Sequence, residues 1–121
     1  MQTYPTGYAE SHRMVEQIFR EILPRRGMAV REEQIALCHE VLDTLYNKEI
    51  SLCEAGVGIG KTLAYLVACI LWQMHRPNQL KMPVVISTSS VALQDAILNE
   101  YLPTCLLFCW QRASSRNQSQ R

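Results

Sequence analysis

An α/β fold, a parallel sheet with flanking helices, is predicted for this chain of 121 residues by three observations. Two short stretches, 50–54 and 83–88, read as strands, the second with consecutive Val84-Val85-Ile86. Amphipathic helical patterns precede and separate them, and a glycine-rich turn joins the first stretch to a long apolar helix. Parallel strands joined through helices require right-handed crossovers, which sets the expected topology.

Taken in order, Ser11 is the expected cap of a first helix whose apolar face holds Met14, Val15, Ile18, Phe19, Ile22 and Leu23. Pro24 is expected to stop that helix before Arg25-Arg26-Gly27. A second helix is predicted from about Glu32 to Tyr46, with Ile35, Leu37, Cys38, Val41, Leu42 and Leu45 turned inward. Ile50 to Glu54 reads as a strand. Lys61 to about His75 reads as a helix ended by Pro77-Asn78. Pro83 to Thr88, with consecutive Val84-Val85-Ile86, suits a parallel strand covered on both faces, and Val91 to Asn99 looks helical. Cys105 to Trp110 is a short apolar patch. The expected divisions are an N-terminal helical segment (1–27), a partial nucleotide-binding domain (28–110) and a disordered polar tail (111–121).

The length suits one modest domain, and net charge is near neutral but unevenly spread: only Asp95 and Glu100 follow the glycine turn among the acidic residues. The mildly basic C-terminal half permits nucleic-acid contact without demonstrating it. Met1 to Gly7 lacks a basic start followed by an apolar core, so no secretory signal is expected and the cytoplasm is the expected compartment. The longest apolar run, Leu63 to Trp72, is too short to span a bilayer, so no membrane partner is expected. The five cysteines are an odd number. Cys38, Cys53 and Cys69 fall on predicted core positions as reduced thiols, so disulfides are not expected.

The glycine turn carries the chemistry. In Ala55-Gly56-Val57-Gly58-Ile59-Gly60-Lys61-Thr62, three glycines at alternate positions let the backbone curl with its N–H groups inward, beside the positive end of the following helix. Lys61 would reach the β- and γ-phosphates of a nucleotide, and the Thr62 hydroxyl would be a ligand of the bridging Mg²⁺. Ala55 stands where the usual pattern has glycine, which is tolerable if residue 55 has ordinary dihedrals. The alternative is a glycine-rich turn with an incidental lysine.

Other constellations are weaker. Turnover needs a further carboxylate on the Mg²⁺ and a group that orients water. The downstream Asp95 and Glu100 read as a solvated helix face, so no catalytic residue is assigned. In Arg31-Glu32-Glu33-Gln34, the Gln34 amide is the candidate reader of an adenine edge, although glutamine on a helix is usually a surface residue. Ser87-Thr88-Ser89-Ser90 could hold strand phosphates, but a helix cap by Ser89 or Ser90 is the favoured reading. Cys105 and Cys109 read as packing residues without a metal, and the scattered His12, His39 and His75 support no ligand or nucleophile assignment.

Together, "REEQ", "EAGVGIGKTLAYL" and "PVVISTSSVALQD" with "YLP" behind it resemble the start of the DinG and XPD-like branch of superfamily 2 DNA helicases, over about residues 28 to 103. The resemblance implies an incomplete RecA-like P-loop NTPase fold, with Gln34 reading adenine and Ala55 to Thr62 binding ATP and Mg²⁺. It also implies that the block around Thr88 and Gln94 touches single-stranded DNA. The family's acidic Asp-Glu-Ala-His-type box, second RecA-like domain and four-cysteine iron–sulfur site have no counterpart in this sequence, so no iron–sulfur cluster is expected here. The expected role is ATP binding as the N-terminal part of an ATP-dependent DNA helicase, with hydrolysis and unwinding belonging to the complete enzyme. The alternatives are a non-hydrolysing nucleotide-binding regulatory module and a nonfunctional remnant.

Overall fold

The computed structural model describes residues 6–76 and 82–109. In order they form α1 (Tyr8–Gln17), a π turn (Ile18–Ile22), α2 (Leu23–Arg25), α3 (Glu32–Asn47), α4 (Lys61–Met74), α5 (Val91–Ala96) and a second π turn (Ile97–Tyr101). Helix continues over 102–109. The expected polar tail, 111–121, lies outside the described residues.

The parallel sheet is not there. Among the described residues no strand forms, and the α/β expectation gives way to a helical protein. Residues 50–54 and 83–88 keep their apolar composition but have no ladder of backbone hydrogen bonds. A strand exists only by pairing, and two five- or six-residue segments have little independent stability as a ladder. Their side chains show the result. Ile50 and Leu52 are fully exposed, and Cys53, expected in the core, is exposed as well. The second segment rests on a helix instead: Val84 packs against the core, and Gln73 of α4 donates a hydrogen bond to the Met82 carbonyl.

The core is made by helices. The α3–α4 interface is the largest, and α1 lies across both. Ile35, Cys38 and Leu42 of α3 share one buried cluster with Leu63, Ala64, Val67, Ala68 and Leu71 of α4. Ala64 and Ala68, one turn apart and fully buried, present little bulk and allow close packing there. Met14, Val15, Ile18 and Phe19 close the cluster from α1, and Cys105, Phe108 and Cys109 close it from 102–109. Of the apolar patch expected at 105–110, residues 105–109 are helical, with Cys105, Phe108 and Cys109 on the buried face and Leu106 and Leu107 exposed; residue 110 lies outside the described residues.

Two features at the first helix depart from expectation. Ser11 does not cap it. The helix begins a turn earlier, and Ser11 is buried inside it, its hydroxyl 2.7 Å from the Tyr46 hydroxyl and 3.0 Å from His75 Nδ1. Pro24 does not stop the helix either. The Leu23 N–H bonds back to the Ile18 carbonyl, a five-residue step, and the chain continues through Leu23–Arg25. A proline ring clashes with the carbonyl four residues earlier, and widening the preceding turn relieves that clash. The same device recurs before Pro103, where the Leu102 N–H bonds to the Ile97 carbonyl.

Ser90 caps α5: its hydroxyl oxygen accepts from the Leu93 N–H at 3.2 Å. Ser90→Ala is expected to lower stability by about 1 kcal/mol, read as a fall of a few degrees in the thermal midpoint.

Candidate functional site

The glycine turn connects residue 54 to α4, which begins at Lys61. Positive φ occurs at Gly58 (83°) and Gly60 (79°), whereas Ala55 and Gly56 have ordinary dihedrals. Side chains from the start of α3 hold this turn. The Arg31 guanidinium donates to the Gly58 carbonyl, and Gln34 Nε2 donates to the Gly60 carbonyl at 3.0 Å. In a trans peptide the carbonyl and the following N–H point in opposite directions. Directing the Gly58 and Gly60 carbonyls at α3 therefore turns the N–H groups of Ile59 and Lys61 the other way.

The Lys61 N–H opens α4, whose N-cap, Gly60, supplies no side-chain acceptor. An uncapped helix start leaves donors and a positive dipole end available to an anion. Lys61 is exposed at the first helical position and forms no ion pair among the described residues. Thr62 follows, half-buried. The donors suited to a phosphate thus come from consecutive residues at one helix end.

On the α3 side lies a hollow of about 500 Å³ lined by Glu33, Leu37, Glu40, Leu52, Glu54 and Gly56, among others. Lys61 and Thr62 do not line it. Glu33, Glu40 and Glu54 at its wall make this side of the turn unfavourable for a phosphate.

Gln34 is nearly buried, at 7% exposure. One amide hydrogen holds the loop, leaving the second hydrogen and Oε1. Gly60 is needed at this contact, since a Cβ there would run into the Gln34 amide nitrogen, while one at Gly58 would meet nothing within 4 Å. Both positions carry the cost of left-handed backbone in an L-residue, about 1–2 kcal/mol. Gly60→Ala is therefore expected to destabilise the chain more than Gly58→Ala in parallel thermal melts, the difference reporting the Gln34 contact.

The start of α3 is itself tethered to the first helical segment. Arg20 grips Glu32 with two hydrogen bonds, 2.6 and 2.8 Å, and also engages Glu16. Arg20 holds the Glu32 and Glu16 carboxyls below their ordinary range, helped at Glu16 by His39. Arg31 and Arg20 were not singled out as site residues from the sequence. The one signal was Arg31 three residues before Gln34, placing both near the start of one helix.

The second expected contact region sits apart in sequence. Thr88 Oγ1 accepts from the Ser90 N–H at 3.2 Å, and Gln94 is exposed on α5. Asp95 and Glu100 are exposed, as a solvated helix face would be. Burial pushes the Cys69 and Cys109 thiols up to about 11 and Cys105 to about 12, which keeps them protonated. No grouping of residues able to hold a metal ion occurs among the described residues. No helix among them is long and apolar enough to cross a membrane.

A glycine turn held from α3 leads here into a helix that starts with Lys61-Thr62 and has no side-chain cap. The chain is 40% identical over 88 residues, 73% of its length, to a protein named 3'-5' exonuclease DinG from Bacillus subtilis (strain 168), covering 9% of that protein. It is 29% identical over 89 residues, 74% of its length, to the protein of the same name from Staphylococcus aureus (strain USA300), covering 10% of it. The chain belongs with the DinG-like proteins and spans about a tenth of the length of these curated relatives. No family model matches it, and no solved structure matches it.

Proposed function

We propose that this chain carries the ATP-binding loop of a DinG-like, DNA-processing enzyme. The observation that supports this most directly is the pinning of the Gly58 and Gly60 carbonyls by Arg31 and Gln34, which presents the α4 amides and Lys61 together. In this reading the backbone from Ala55 to Gly60 cradles the phosphates, Lys61 neutralises the β- and γ-phosphates, and Thr62 supplies a hydroxyl to Mg²⁺. Mg²⁺ would contribute charge neutralisation of the phosphates. Gln34 keeps one N–H and one acceptor oxygen for an adenine edge while its other N–H holds the loop.

Thr88 and Gln94 are proposed to meet single-stranded DNA, with the mildly basic C-terminal half favouring the polymer electrostatically. The exonuclease name of the relatives supports a nucleic-acid strand as the polymer concerned; its being DNA and the helicase-type use of ATP rest on the loop and the sequence blocks around it. Hydrolysis and strand separation are proposed only for a complete enzyme, because Asp95 and Glu100, the carboxylates that follow the loop, lie exposed on the helical segment after it.

Calorimetric titration of the chain with ATP, with and without Mg²⁺, tests the reading. Binding strengthened by Mg²⁺ is expected, and no heat or fluorescence change up to millimolar ATP overturns it. Binding of a fluorescent oligonucleotide should weaken steeply with salt, and Gln94→Ala should reduce it. Absence of binding even at low salt removes the DNA contact.

A further inference from the structure

Between α1 and α3 lies a second polar assembly, separate from the loop. His12 and Glu16 are one turn apart on α1, and His39 and Asp43 are one turn apart on α3. The helices bring them together crosswise. His12 Nε2 lies 2.9 Å from Asp43 Oδ1, and His39 Nε2 lies 2.9 Å from Glu16 Oε1. The two Nδ1 atoms then meet at 2.6 Å, with the rings stacked 4.9 Å apart at 14°.

Proton counting fixes the state in which these contacts are all made. Ionised carboxylates only accept, so each Nε2 must carry a hydrogen, and the Nδ1–Nδ1 bond needs one more. Three hydrogens on four ring nitrogens make one imidazole and one imidazolium. With one fewer, two bare lone pairs face each other. With one more, two N–H groups collide. The pair is complete at a single protonation level.

We propose that the His12–His39 pair is a proton-counting clasp, docking α1 on α3 when it holds one extra proton and releasing it when that proton is lost or a second is added. The proposal goes beyond the nucleotide reading and does not rest on it. The groups facing the pair are Asp43 and Glu16, with Tyr8 donating its hydroxyl to Asp43 and its ring 4.5 Å from His12. Arg20 holds the other oxygen of Glu16. Next to Tyr8 stands Tyr46, 5.5 Å away, itself joined by Ser11 to His75 beyond α4 and acted on by Arg76. Release has a path to the loop: Arg20–Glu32 bridges the same two segments, and Glu32 lies between Arg31 and Gln34 in sequence.

Burial holds His12 below the ordinary 6.5, against the pull of Asp43 and with the push of His39. The unfolded chain therefore binds the second proton more readily than the native pair does, and stability falls as pH drops below 6.5. Glu16, held below 4.5, stays ionised through that window, so the loss is not the titration of its carboxyl.

The test follows the imidazole nitrogens of the ¹⁵N-labelled chain by NMR between about pH 5 and 9, alongside its thermal midpoint. Two separated, coupled steps shared by both rings are expected, with the midpoint highest between them and several degrees lower on each side. His39→Phe should leave His12 with one simple step and flatten the acid limb. Independent single-step titration of the two rings, or a midpoint flat across the range, overturns the proposal. If His39→Phe does not fold, the titration of the unmodified chain decides alone.

Discussion

Lys61→Ala is expected to weaken ATP binding by roughly ten- to a hundredfold, the range for removing one charged partner from a phosphate. The size follows from the geometry. Lys61 has no carboxylate partner among the described residues, so its ammonium is not already neutralised, and it opens α4 beside an uncapped helix end. The amides and dipole remain in the variant, so some affinity should persist. The fold should be untouched, since Lys61 is exposed. A calorimetric titration reads the effect, and a thermal midpoint within a degree or two of the parent shows that the loss is local. Affinity equal to the parent's would remove Lys61 from the site.

The largest stability loss is expected from Phe108→Ala. The ring is 1% exposed, closes the core from 102–109, and lies under the Arg26 guanidinium at 4.6 Å. Truncating a buried phenylalanine costs about 3–5 kcal/mol through lost transfer energy and the cavity left behind, a large share of the stability of a chain this size. Its neighbour Leu107 is 45% exposed, and Leu107→Ala should cost about 0.5 kcal/mol or less. Urea denaturation of the two variants side by side separates a helix face packed into the core from a merely apolar stretch. Equal midpoints would mean that Phe108 is not a core residue.

Much of the helical architecture was legible because helices are made by local periodicity. The second helix was expected from Glu32 to Tyr46 and runs Glu32–Asn47; the third was expected from Lys61 to about His75 and runs Lys61–Met74. Pro24, expected to stop the first helix, is instead carried within it. Leu23-Pro24 and Leu102-Pro103 each follow a widened turn, because flanking apolar residues gain more from staying in register with the core than the helix loses by one irregular step. Strand character at 50–54 and 83–88 was equally clear in composition, yet nothing local can supply a neighbouring strand.

Histidine shows the same limit. His12 and His39 looked scattered, since 27 residues separate them in sequence, but each stands one turn from a carboxylate on its own helix. That spacing was the available signal; which carboxylate faces which ring depended on how α1 crosses α3.

By itself the sequence determined the glycine turn with its Lys61-Thr62 helix start, the apolar faces of the helices, and the relationship to DinG-like proteins. These are set by neighbours along the chain, where spacing and backbone freedom act directly. The tertiary structure alone decided that no ladder forms among the described residues, that Arg31 and Gln34 hold the turn, and that two histidines share a contact. Each of those depends on surfaces brought together from distant positions, and the free energy of such meetings is not written in any one segment.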